Sequence, residues 1–441
     1  MTEPQKNPLA KNFTAISLIK FALPSMVMML FMGLYTIIDT IFIARFIHTN
    51  ALSSINIVCP VINLIVGLGT MLATGSSAII AKKMGNKKLE EAKSNFTFII
   101  ITGLVIGIII TVIGFLFLDE IIYGLGASTV LFPYCKDYLS IQLIFAVFNI
   151  MQVLYQNLLV TAGKPTLGLL LAILAGTVNI IFDYIFIVLL QIEIKGAAIG
   201  TGIGYLIPTI IGTIFFLTKK SELHFCIPKI DISVLRKSCS NGASEMVSQC
   251  STAITTFLFN ITMMKLLGED GVAAITAIIY SQFLLTTLYI GFSMGIAPII
   301  SYNYGSGNIK RLKKIVRICF YFITGISIFV FLFSMFYRKN IARIFAGNNK
   351  NVFEIIKMGF SIFSFSFLFS GYNIFASSLL TALSNGKLSA IISFLRTFGF
   401  ITIFLLILPK FLKATGIWLA VPFAELLTLM LVISLYWQSK N

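Results

Sequence analysis

Acid is scarce in this chain. It has 16 Asp and Glu against 33 Lys and Arg, and charged residues of all kinds make up 11% of the 441 positions. Long polar stretches are lacking too. The only sizeable polar linker runs from Lys219 to Ser233. That leaves no room for a soluble nucleic-acid-binding domain, so the net charge of +17 is better assigned to basic loops on one side of a membrane. Histidine occurs twice, at His48 and His224, both in short connections. With no HExxH or DxD pattern, the residues do not suggest an enzyme. The six cysteines have no CxxC spacing, which argues against a metal site or a disulfide scaffold. Residues 1–13 are polar and have no apolar core, so no cleaved signal peptide is expected.

What is abundant is apolar. Mean hydropathy is +0.96, and segments long enough to cross a bilayer of about 30 Å recur throughout. Twelve spans are expected, at about 15–46, 51–81, 94–117, 132–161, 166–190, 196–218, 236–264, 271–301, 315–337, 355–383, 388–409 and 414–437. Several are long enough to tilt or to project beyond the lipid. If the N-terminus is cytoplasmic, the inner segments hold roughly twice as many basic residues as the outer ones, so both termini are expected in the cytoplasm. The inner set includes Lys82, Lys83, Lys87 and Lys88, and Lys310, Arg311, Lys313 and Lys314.

The linker lies at the midpoint, and the halves echo each other. The stretch Gly69 to Ile80, leading to Gly85, resembles Gly291 to Ile300, leading to Gly305, with an offset of 220 that pairs Gly75 with Gly295, Ile80 with Ile300 and Gly85 with Gly305. A fainter echo pairs Thr161-Ala-Gly-Lys164 with Asn385-Gly-Lys387. Six spans per half is an even number. The halves therefore insert with the same orientation, related by an axis along the membrane normal, as in transporters built from parallel repeats. The expected division is residues 1–218 for a first six-helix lobe, 219–233 for a cytoplasmic linker and 234–441 for a second lobe.

Within the first half, Asn179 and Asp183 share one helix face, four residues apart. A carboxylate inside a span is costly, at least ~2.5 kcal/mol by insertion scales, so it needs a partner or a cavity. Asp39 and Asp183 lie about seven residues before the outer ends of spans one and five. Tyr138 and Thr201 lie about six residues into spans four and six. At ~1.5 Å per residue this puts all four about 9–10 Å below the outer surface, with Asn179 one turn deeper. Two carboxylates, an amide and hydroxyls suit a small hard cation, and the two acids suit a shared proton. The competing reading is that the acids only hold helices together.

The second half differs. Span eleven carries Arg396 where a counterpart of Asp183 is sought, while Glu245 lies in span seven and Glu425 near the middle of span twelve. Glu245, with Gln249 one turn on, is a candidate for binding substrate or a proton, and a structural pair with Arg396 is equally open. Glu425 is assigned to a structural pair. Met28, in the run Met26 to Met32, is a further substrate candidate, as part of an adaptable apolar cavity wall, though such residues mostly pack. Pro24 in span one is a candidate hinge.

The order and spacing of Pro24 to Asp39, Gly69 to Gly85, Thr161 to Pro165, Asn179 to Asp183, Gly196 to Thr201, Glu245, and Gly416 to Ala420 with Glu425 resemble the multidrug and toxic compound extrusion (MATE) family over essentially the whole chain. The likeness is to its DinF/MepA-like bacterial branch. It implies an all-α membrane fold of twelve helices in two lobes forming a V. It implies alternating access in a bacterial plasma membrane, and export of small, often cationic, organic compounds in exchange for Na+ or H+ by a monomer with no other cofactor. It also implies that Asp39, Tyr138, Asn179, Asp183 and Thr201 form the first-lobe cation site, with Na+ possible at Asp39, Asn179 and Asp183. NorM-type members carry an acid in span ten, paired with the span-seven glutamate. Here no acid occurs in Gly359 to Ser384, which counts against a second-lobe site of that kind. A lipid-linked saccharide flippase of related fold is the alternative. It calls for a cationic cavity, and few basic residues lie inside the spans.

Overall fold

The structure is a computed structural model that describes residues 7–47, 49–218, 221–347 and 349–438. The N-terminal half runs α1 (Ala15–Phe46), α2 (Thr49–Gly85), α3 (Leu89–Leu116), the short α4 (Leu118–Gly124), α5 (Phe132–Ile144), α6 (Ala146–Thr161), α7 (Pro165–Asp183) and α8 (Glu193–Leu217). The C-terminal half runs α9 (Ile232–Gly305), α10 (Ile309–Ala346), α11 (Lys350–Phe363), α12 (Phe367–Ala382), α13 (Gly386–Phe394) and α14 (Phe400–Gln438). His48 lies outside the described residues.

Among the described residues, nine helical stretches are long and apolar enough to cross a membrane, or ten when the bent pair α5–α6 counts as one span. Two of these stretches each hold two spans. In α9 the break is Gly268, whose φ of +63° with ψ of −152° is a conformation only glycine adopts readily. In α14 the break is Lys413. Dividing both at these points yields the twelve expected spans. Span four, expected at about 132–161, is a bent pair of helices that turns by 51° at Phe145. Phe145 leaves the helical region, and its ring is accommodated against Gly202 of α8, where a side chain would collide.

Burial sorts the apolar residues into a first-half core around Leu72, Phe96, Leu154 and Phe216 and a second-half core around Tyr289, Phe360, Phe367 and Trp418. One face of α3, carrying Ile101, Leu104, Val105, Ile108 and Val112, is exposed and apolar, as a lipid-facing helix must be.

The halves meet through α1 and α2, which pack on α9. Glycines allow this. Gly75 and Gly85 of α2 lie against the backbone of Ser238 and Tyr302, and Gly242 and Gly305 of α9 lie against Met71 and Lys82. These contacts fall at the lysine-rich ends of the spans. Further along, a Cβ on Gly291 would stand 2.6 Å from Met26 Cα and 2.7 Å from the Ser25 oxygen. Pro24 therefore sits at a tight inter-lobe contact, within a helix that is continuous from Ala15 to Phe46.

The chain start bridges both halves on the same side. Asn7 Nδ2 donates to Glu222 Oε2 at 2.6 Å, Pro8 packs on Gly163 in the α6–α7 turn, and Arg311 Nη1 donates to the Ala10 carbonyl at 2.8 Å. Leu9 and Phe13 are buried among Phe292, Ile299 and Ile315. The polar linker is docked rather than free. Cys226 N donates to Thr97 Oγ1 at 3.1 Å, and Leu223 is fully buried.

Candidate functional site

Asp183 is the last residue of α7, and a π-helical turn, Tyr184–Leu189, follows at once. Such turns are frequent at functional sites because they interrupt the regular helical face. Asp183 is fully buried and Asn179 is 3% exposed. Asp183 fits only because Gly200 of α8 has no side chain, for a Cβ there would strike Asp183 Oδ1 and stand 3.3 Å from its Cγ. The Asp39 carboxyl, reaching over from α1, comes within hydrogen-bonding reach of that of Asp183. Asn179 Nδ2 donates to Thr201 Oγ1 at 3.4 Å, and Thr201 in turn donates to the Ala197 carbonyl at 3.0 Å. Tyr138 of α5 is buried and feels the charge of both acids.

The five first-half candidates thus converge from α1, α5, α7 and α8. Asp39 Oδ1, both carboxylate oxygens of Asp183 and Asn179 Oδ1 are buried and accept no well-formed hydrogen bond from the described residues. Buried oxygens of this kind are expensive unless a proton or cation sits among them. The donor set is two carboxylates, an amide oxygen and hydroxyls, which fits a hard monovalent cation or a proton rather than a soft metal. A cavity of about 390 Å³ opens at the end of α1 and the connection from α7 to α8, lined by Phe46, Ile47, Ile187, Val188, Gln191 and Glu193.

Two neighbours escaped the sequence reading. Tyr35 and Tyr205 both lie within the field of Asp39. They sit one turn from Asp39 and Thr201, so the spacing of four was the available signal.

In the second half, Arg396 Nε donates to Glu425 Oε1 at 2.9 Å and to Oε2 at 3.1 Å. Asn373 Nδ2 donates to Glu425 Oε2 at 2.7 Å and to the Glu425 carbonyl at 2.8 Å. Arg396 is therefore the partner of Glu425, and it acts on Glu245 only through its field. Asn373 was missed, because an amide inside an apolar span gives no sign of which helix it faces. Glu245 and Gln249 are half-buried, and the Gln249 Cβ lies over Gly67 of α2. Met28 does not reach open space. It is fully buried with its sulfur against Gly168 of α7, so it packs α1 on α7 in this arrangement, a correction to its candidacy as a cavity wall.

A two-lobed bundle of twelve spans with two facing acids inside one lobe defines the class of a secondary active transporter. The MatE family model matches the chain twice, over residues 24–185 and 246–408, once in each half. The chain belongs to the MATE family: it is a multi-pass membrane protein that works by alternating access, not an enzyme. It is 23% identical over 427 residues to the multidrug export protein MepA of Staphylococcus haemolyticus, covering 96% of this chain and 94% of the relative. To MepA of a Staphylococcus aureus strain it is 24% identical over 437 residues, with 96% and 92% covered. The fold matches the outward-facing conformation of a multidrug resistance MATE family transporter with a TM-score of 0.91 at 20% identity, over 98% and 96% of the two chains. A MATE in the bent conformation matches with a TM-score of 0.88 at 19% identity over both whole chains.

Proposed function

We propose that this chain exports small organic, often cationic, drugs from a bacterial cytoplasm in exchange for Na+ or H+ bound at Asp39 and Asp183. The observation that carries this reading is the pair of facing carboxyls, fully buried Asp183 and half-buried Asp39, with both Asp183 oxygens and Asp39 Oδ1 buried and without donors among the described residues. Asp39 and Asp183 hold the ion, with Asn179, Thr201 and Tyr138 supplying further oxygens. An ion arriving there favours one arrangement of the lobes, and the shift is limited by its difference in affinity for the two states. Glu245, with Gln249, is the substrate-side candidate, and Pro24 is the candidate hinge. The lysine-rich ends face the cytoplasm, with both termini there. The lobes are residues 1–218 and 234–441, joined by 219–233, and the working unit is a monomer. Relatives named as multidrug export proteins support the substrate class. A flippase for lipid-linked saccharides needs free basic groups in the cavity, and Arg396 is committed to Glu425.

The test is efflux of a fluorescent cationic dye from everted vesicles, driven in turn by a pure Na+ gradient and a pure pH gradient. One gradient is expected to drive transport, and Asp39→Asn and Asp183→Asn are expected to abolish that dependence. Efflux and ion dependence surviving in both variants would sink the reading.

A further inference from the structure

The lobes solve one electrostatic problem in two ways. In the first, Asp39 and Asp183 face each other with an amide, Asn179, beside them. Among the described residues, none of the ion pairs involves either acid. In the second, a buried acid, Glu425, again meets an amide, Asn373, from another span, and Glu245 stands within the same field. Here the positive charge belongs to the chain. Arg396 projects from a second π-helical turn, Leu395–Gly399, and its Nε reaches both oxygens of Glu425. Glu425 is left 3% exposed with its carboxylate satisfied, whereas the oxygens of Asp183 are not.

We propose that Arg396 is a resident cation that permanently occupies the second-lobe counterpart of the ion site, so that only the first lobe exchanges an ion. A guanidinium suits this role because it stays charged at any physiological pH and is covalently unable to leave. The ion pair is built as a filled site: acid and amide from spans twelve and ten, cation from span eleven. Removing the guanidinium leaves Glu425 buried beside Asn373 with no positive partner, a setting that requires a mobile monovalent cation, Na+ or H+, in its place. The proposal rests on the Asp39/Asp183 reading.

The experiment reconstitutes the full chain in proteoliposomes and measures the ion-to-substrate ratio from the reversal potential, with Na+ and H+ gradients applied separately. Arg396→Gln is expected to raise the ratio by one ion, and Arg396→Gln combined with Glu425→Gln to return it to the parent value. The double variant guards against misfolding, since it buries no unpaired charge. If its ratio falls by one ion, Glu425 exchanges an ion in the parent and the proposal is overturned. It is equally overturned if active Arg396→Gln keeps the parent ratio. Asp183→Asn separates the two readings. In the parent background it should remove all ion dependence, and in the Arg396→Gln background it should leave the newly created part. Full ion dependence in the single Asp183→Asn variant would refute the first-lobe reading itself.

Discussion

Alanine at Gly75 puts a methyl group against the backbone of α9 where the lobes touch. The added carbon would meet the Ser238 carbonyl oxygen, stand 2.8 Å from Gly242 N and stand 2.9 Å from Ser238 C. The reciprocal change, Gly242→Ala, would put a carbon 2.7 Å from Met71 C and 3.0 Å from Gly75 N. Non-bonded carbons relax at about 3.5–4.0 Å, so the helices must part by roughly 1 Å. Both walls are backbone, so no side chain can rotate aside. Overpacking of this kind costs typically ~1–3 kcal/mol. Alanine also improves helix propensity by up to ~1 kcal/mol, but that gain is common to both states of the transporter and does not move the balance between them. The strain falls only on the state in which these ends touch, and ~1–3 kcal/mol corresponds to a shift of about 5–150-fold toward the state in which they part. Cys239, next to Ser238, reports on the seam when kept as the sole cysteine. Its labelling by a maleimide from the lysine-rich side should quicken at least ~5-fold in either variant. Gly325→Ala, where an added carbon meets nothing within 4 Å, should leave the rate unchanged. Labelling and thermal midpoint at parent values in both seam variants would refute the idea that this contact belongs to one state.

Two further outcomes are expected. Gly200→Ala should displace the Asp183 carboxyl and raise the half-saturating concentration of the coupling ion about tenfold, roughly 1.4 kcal/mol, with the substrate KM little changed; equal loss on both would argue for general misfolding. The docked chain start should be sensitive to pH through Glu222, which lies in the linker outside the spans. Burial raises its carboxyl above the ordinary range, while the Asn7 amide and Lys93 oppose the shift. Because the folded value is the higher one, its contribution is fully present below the unfolded value and is lost as pH rises through the folded one. Hydrogen-exchange protection at Leu9 and Ala10 should therefore fall as pH rises above the ordinary glutamate range and through the raised folded value, and Glu222→Gln should flatten the profile; an unchanged profile in that variant would rule Glu222 out.

Much of this protein was legible in one dimension. Span number follows from the length and apolarity of each run, because the bilayer sets a fixed thickness. The repeat follows from glycine spacing, and the family model matches once in each half. The convergence of Asp39, Tyr138, Asn179, Asp183 and Thr201 was reachable by counting depth along straight helices, since a membrane gives every span a common axis. Depth says nothing about rotation or about which spans are neighbours. That is why Met28 was misplaced, why Tyr35, Tyr205 and Gly200 were overlooked, and why the partner of Arg396 stayed open between Glu245 and Glu425. The bend at Phe145, the docking of the linker and the strap from Asn7 to Phe13 are likewise packing outcomes, set by which small residues let helices approach. The sequence by itself determined the twelve spans, their pairing into halves and the common depth of Asp39 and Asp183 within them. Only the tertiary structure decided which charges meet, because azimuth and helix neighbours come from side-chain packing between distant segments, and local periodicity does not encode them.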